Sequence, residues 1–102
     1  MNVIADICVI PIRGKISLRD DVAKAHQILK STGLSVHLHA YGTNIEGNID
    51  IVLEAIKRIH QELHSDGVPR ISTSIRLGSR IDKSTSIQDK ITAVQKEVDR
   101  TP

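Results

Sequence analysis

At 102 residues, with 14 Lys and Arg against 12 Asp and Glu, the chain has the length of one domain and a formal charge of only +2. Its charges are interleaved without a basic run, which argues against nucleic acid; no apolar stretch approaches the roughly 20 residues that span a bilayer, and no signal or transit pattern opens the chain. With no Phe, no Trp, a single Tyr and a 39% hydrophobic share, the core must be aliphatic and modest, which favours self-association in a soluble, cytoplasmic protein.

Asn2 to Ile12 reads as a strand, with Pro11 marking its end or an edge. Val3, Ala5, Ile7 and Val9 alternate with Ile4, Cys8 and Ile10, and Asp6 is the one charge in the run. A strand apolar on both sides predicts cover on both sides, by this chain's helices and by a second subunit. Cys8 reads as a packed free thiol in a reducing compartment. Ser17-Leu18-Arg19-Asp20 has the form of a capping box, opening a helix with Val22, Ala25, Ile28 and Leu29 on its apolar face and Gly33 at its stop. Leu34, Val36, Leu38 and Ala40 then alternate with His37, His39 and Tyr41. Gly42 turns the chain, and Thr43 to Gly47 reads as a short return strand.

Asn48 or Asp50 caps a second helix, with Val52, Leu53, Ile56, Ile59 and Leu63 as its stripe; Gly67 and Pro69 end it. From Arg70, Ile71, Thr73, Ile75 and Leu77 alternate with Ser72, Ser74 and Arg76. Ser86-Ile87-Gln88-Asp89 opens a last helix whose Ile87, Ile91, Val94 and Val98 form a narrow seam suited to one partner groove. The order predicts an α+β, ferredoxin-like βαββαβ sandwich over residues 1–102, one domain with an added C-terminal helix. Both crossing helices would cover one sheet face and leave the other open.

His60 and His64 stand at i and i+4, but Gln61 occupies the position where the zinc-protease motif has Glu; a solvated helix face is the reading, with no metal. Neither a Ser-His-Asp nor a Cys-His arrangement stands out, and glycine-rich phosphate loops are absent, so no catalytic residue and no cofactor are assigned. The RNA recognition module shares this element order but stacks bases on strand aromatics, which this chain lacks. Arg80 and Asp82 read as a surface ion pair. The most informative segment is Tyr41-Gly42-Thr43-Asn44-Ile45-Glu46-Gly47-Asn48, where two glycines bracket a hydroxyl and a carboxylate. Those two side chains either order the turn and cap the next helix, or read the polar atoms of a small ligand.

Gly42-Thr43 with Glu46-Gly47, Arg70-Ile71-Ser72-Thr73 followed by Arg80-Ile81-Asp82-Lys83, and Ile4-Ala5-Asp6-Ile7 with Val9-Ile10-Pro11 together resemble the thiamine-binding protein family over nearly the whole chain. The resemblance implies a ferredoxin-like fold, dimers made by pairing sheets, commonly a tetramer, and non-catalytic binding of thiamine or its hydroxymethylpyrimidine portion. It carries over Thr43 and Glu46 as ligand contacts, with Gly42 and Gly47 letting backbone approach and His37, His39 and Tyr41 as a wall; Arg80 is a further candidate. Many members have an acidic pair where this chain has Gly78-Ser79, a departure that resembles the eukaryotic, fungal-type branch. The alternative is a structural or regulatory interaction protein whose open sheet face only builds the oligomer.

Overall fold

The computed structural model describes residues 1–14, 18–84 and 86–100. The elements are β1 (Asn2–Ile12), α1 (Arg19–Lys30), β2 (Ser35–His39), β3 (Gly42–Asn48), α2 (Ile49–Ser65), β4 (Arg70–Ser79) and α3 (Ile87–Arg100). The four strands form one antiparallel sheet in the order β2-β3-β1-β4. This is the α+β, ferredoxin-like arrangement that the element order predicts, with a third helix appended.

Strand alternation sorts the side chains. Val3, Ala5 and Ile7 of β1 and Ile45 of β3 are buried with Ala25, Ile28 and Leu29 of α1 and Val52, Ala55, Ile59 and Leu63 of α2. Ile4, Asp6, Cys8 and Ile10 face the other way, and Ile10 is 44% exposed. The helix stripes need two corrections. Val22 and Leu53 are exposed at 40% and 48%, and the inward positions beside them go to Asp21 and to Val52 and Ala55. Asp21 is held by Arg13, whose Nε lies 3.3 Å from its Oδ2, and Arg13 also donates from Nη2 to the Asp66 carbonyl at 3.2 Å. That cation joins the end of β1 to α1 and to the end of α2. Along β4, Ile75 and Leu77 are 44% and 37% exposed at the sheet edge.

The helix starts follow local chemistry. Asn48 caps α2, its Oδ1 accepting from the Asp50 N–H at 2.9 Å. Ser86 and Asp89 form a reciprocal box at α3, Ser86 N–H to Asp89 Oδ2 and Asp89 N–H to Ser86 Oγ, each 3.0 Å. At α1 the flanking residue is Leu18, without a side-chain cap, and Ser17 lies outside the described residues.

Two outcomes follow. Removing the Asp21 carboxylate leaves Arg13 unpaired in a largely buried place, so Asp21→Ala should cost about 3 kcal/mol in denaturant unfolding. At α3, the Ser86 N–H, followed by the Ser86 hydroxyl, lowers the Asp89 pKa. A depressed carboxylate stabilises fully above its unfolded pKa, roughly 3.9, and that contribution disappears as pH falls through the folded value. Exchange protection of the amides of residues 87–90 should therefore drop below about pH 4, and Asp89→Asn should show the loss already at neutral pH.

Candidate functional site

β3 divides the expected ligand pair. Thr43 and Glu46 are three residues apart, an odd interval, so they point to opposite faces of the sheet. Thr43 is 5% exposed beneath the helices, and its Oγ1 lies 3.2 Å from His26 Nδ1 of α1. Glu46 stands on the other face, where its Oε2 accepts the Ile87 N–H of α3 at 2.9 Å. The hydroxyl and carboxylate therefore cannot read one ligand together.

That bond seats the start of α3 over the sheet face expected to be open. Ile87 is 6% exposed, whereas Ile91, Val94 and Val98 are 55%, 64% and 58% exposed. Between α3, the segment after β4 and the sheet lies a groove of about 1050 Å³. Its floor carries Ile4, Asp6, Asn44 and Glu46, and register sets Ile4 beside Glu46 and Asp6 beside Asn44. Arg76 of β4 stands beside Asp6, and the far side carries Arg80, Lys83, Asp89 and Lys90. A smaller, mainly apolar hollow of about 320 Å³ lies between α1 and α2, lined by Ile28, Ile51, Ala55 and Arg58 among others. It holds none of the expected site residues, and the larger groove is where polar groups converge.

Of those residues, Glu46, Gly47 and Arg80 line the groove. His37, His39 and Tyr41 do not. His37 Nε2 lies 3.1 Å from Ser35 Oγ, and Tyr41 is 86% exposed. His39 accepts the Tyr41 N–H at Nδ1, 3.2 Å, which places its proton on Nε2, 2.6 Å from Asp6 Oδ1. His39 thus orients a groove carboxylate without lining the groove. Arg80 donates from Nε to Asp82 Oδ1 at 2.6 Å and from Nη2 to Oδ2, the fork of an exposed ion pair. The Arg80 hydrogen bonds lower the Asp82 carboxyl to about 2.

The two glycines serve the fold. A Cβ on Gly42 would sit 2.5 Å from the Ile7 carbonyl oxygen, and one on Gly47 would sit 2.7 Å from both Leu34 methyl carbons. They let β3 approach β1 and Leu34. The solvated face expected at His60 and His64 holds for His64, which is exposed and donates from Nδ1 to the Val68 carbonyl at 2.7 Å, whereas His60 is half-buried with its Nε2 2.7 Å from Thr73 Oγ1 of β4. Asp6, Asn44 and Arg76 were missed as a set; β3 and β4 pair Asn44 and Arg76 with Asp6 from either side. The available signal was Asp6 itself, the lone charge of an apolar strand.

A family model described as thiamine-binding protein matches residues 5–95. The chain belongs to the thiamine-binding protein family. Its relatives include a UPF0045 protein of Synechocystis sp., 42% identical over 93% of this chain and 78% of that protein. A fungal UPF0045 protein of Eremothecium gossypii is 35% identical over 96% of this chain and 94% of its own length. Among solved structures, a hypothetical protein of Methanocaldococcus jannaschii superposes with a TM-score of 0.86 at 33% identity, covering 93% of this chain and 97% of that one. A Thermotoga maritima protein, provisionally assigned to thiamine biosynthesis or salvage, shares the fold at a TM-score of 0.79 and 18% identity, covering 92% and 99%.

The glycine contacts make a graded prediction for the thiamine-binding family fold. Gly42→Ala sets a methyl against backbone that cannot turn aside, and should cost about 2 kcal/mol or more in thermal or denaturant unfolding. Gly47→Ala meets only a rotatable leucine and should cost less.

Proposed function

We propose that this protein binds thiamine or its hydroxymethylpyrimidine portion without catalysis, as a sequestering or carrier module working as a homo-oligomer in the cytoplasm. The observation that carries the reading is Glu46 on the groove floor beside Ile4, with Asp6 and Asn44 two pairs further along on the same face, in a chain of this family. Glu46 spends Oε2 on Ile87, leaving Oε1 to accept from an exocyclic amine. Asn44 supplies both a donor and an acceptor for ring nitrogens, and Asp6 adds negative charge suited to a cationic ring. Ile4 provides apolar floor. Gly47 contributes backbone at the groove wall, and Thr43, turned to His26, takes no part.

The interaction-protein reading is favoured by one observation, the exposed apolar row Ile91, Val94 and Val98 on α3. Such a row calls for a partner surface, and a second copy of the chain fits the oligomer proposed here. If that surface builds the oligomer, Val94→Asp should shift sedimentation toward the monomer.

Isothermal titration with thiamine and hydroxymethylpyrimidine tests the binding reading. Saturable heat with either is expected; silence at two temperatures would leave only the interaction role. Glu46→Gln should weaken binding about tenfold or more through loss of a charged acceptor, while Thr43→Val should leave affinity unchanged and lower stability by about 1 kcal/mol. Unimpaired binding by Glu46→Gln would remove Glu46 from the site.

A further inference from the structure

We infer that the groove is two-ended and that its second end takes a phosphate, so the preferred ligand is a phosphate ester of the heterocycle. This rests on the binding reading above and specifies the class of ligand.

The charges in the groove are unevenly divided between its two ends. At the floor end stand two carboxylates, Asp6 of β1 and Glu46 of β3, with one cation, Arg76 of β4, beside Asp6. At the other end stand three cations, Arg80 and Lys83 after β4 and Lys90 on the first turn of α3, with one lining carboxylate, Asp89, which is engaged by Ser86. Ser84 lies on the same side as these cations, adding a hydroxyl donor. Lys83 and Lys90 form no ion pair among the described residues, although Lys83 is near enough to Asp89 to favour its charged form. Asp82 takes Nε and one Nη2 position of Arg80, which fixes the guanidinium plane and leaves the Nη1 edge to donate elsewhere.

The α3 backbone is not the anion site. Of its first amides, Ser86 is engaged by Asp89, Ile87 by Glu46, Asp89 by the Ser86 hydroxyl and Lys90 by the Ser86 carbonyl, which leaves a single one, Gln88, too little to hold a phosphate. An anion here must be held by side chains. Size points the same way: about 1050 Å³ lies at the upper end of small-ligand sites, roughly 300–1,000 Å³, so a bare pyrimidine leaves much of the groove empty. A ring at the Asp6–Glu46 end with a phosphate at the Lys83–Lys90 end matches the excess charge of each end with its opposite, whereas the reverse orientation sets phosphate against the two floor carboxylates.

The test compares thiamine, thiamine monophosphate and inorganic phosphate by isothermal titration at low and high salt. The ester should bind about tenfold tighter than thiamine at low salt, and the advantage should shrink as salt rises. The Lys83→Gln/Lys90→Gln double variant should reduce the ester-to-thiamine affinity ratio severalfold. Lys30→Gln/Lys57→Gln, on α1 and α2, makes the same change of net charge and should preserve the ratio. Equal affinities for ester and thiamine, or a ratio lowered alike by both variants, would overturn the phosphate end and leave ring binding standing. Inorganic phosphate binding as tightly as the ester would overturn the two-ended arrangement. Binding of none of the three would sink the ring-binding reading and the phosphate end with it.

Discussion

The core of this protein is built from branched and short aliphatic side chains that fill only the space between the sheet and α1 and α2, and that packing fixes the parity of every strand. Burying an Ile or Leu stabilises by roughly 1.5–3 kcal/mol, so a one-residue slip of β1 or β3 would expose several such residues at once. Ile7, Ile45, Ile59 and Leu63, all at 2% exposure or less, hold the register. Everything on the opposite face inherits its position from them. Glu46 points outward because Ile45 cannot, and Asp6 lies outward between Ala5 and Ile7 for the same reason.

The outward face then meets α3, a helix joined to the body mainly at its first residue. Ile87 packs its side chain and gives its N–H to Glu46, while the rest of the apolar row remains exposed. One carboxylate therefore both seats a helix and lines the groove, and these roles are energetically linked. A ligand that leaves Oε2 in place adds to the bond with Ile87; one that takes Oε2 must displace the helix start. By linkage, whatever strengthens the seating of α3 must favour the first class of ligand and oppose the second.

The parts of this architecture that depend on short-range pattern were legible in the sequence. Alternation along Asn2–Ile12 and Arg70–Ser79, the Asn48 cap and the Ser86–Asp89 box each involve residues within a few positions, and the strand and helix order followed from them. The candidate site was less legible because it is assembled across the sheet. Asp6, Asn44 and Arg76 become neighbours only through register. The Glu46–Ile87 bond spans 41 positions of chain and has no local signature. Thr43 and Glu46 are a different case: their odd spacing on a strand already placed them on opposite faces, and nearness in sequence concealed it. The glycines misled in the same way, since close approach by a ligand and close approach by Ile7 or Leu34 demand the same missing Cβ.

The aliphatic composition also sets how a ring could be held. Tyr41 is 86% exposed and outside the groove, so no phenol ring lies against a heterocycle there. Ile4, Ile87 and Ile91 provide apolar surface instead, which contributes through buried area and gives no preference for one face of a ring. Orientation must then come from the polar groups, and on the sheet floor Asp6 and Glu46 are fixed by internal partners, His39 and the Ile87 amide. The exposed lysines across the groove, Lys83 and Lys90, are screened by comparison. A ring bound there as proposed would be oriented by where the floor carboxylates Asp6 and Glu46 stand, and those positions come from the helix-covered side of the same sheet.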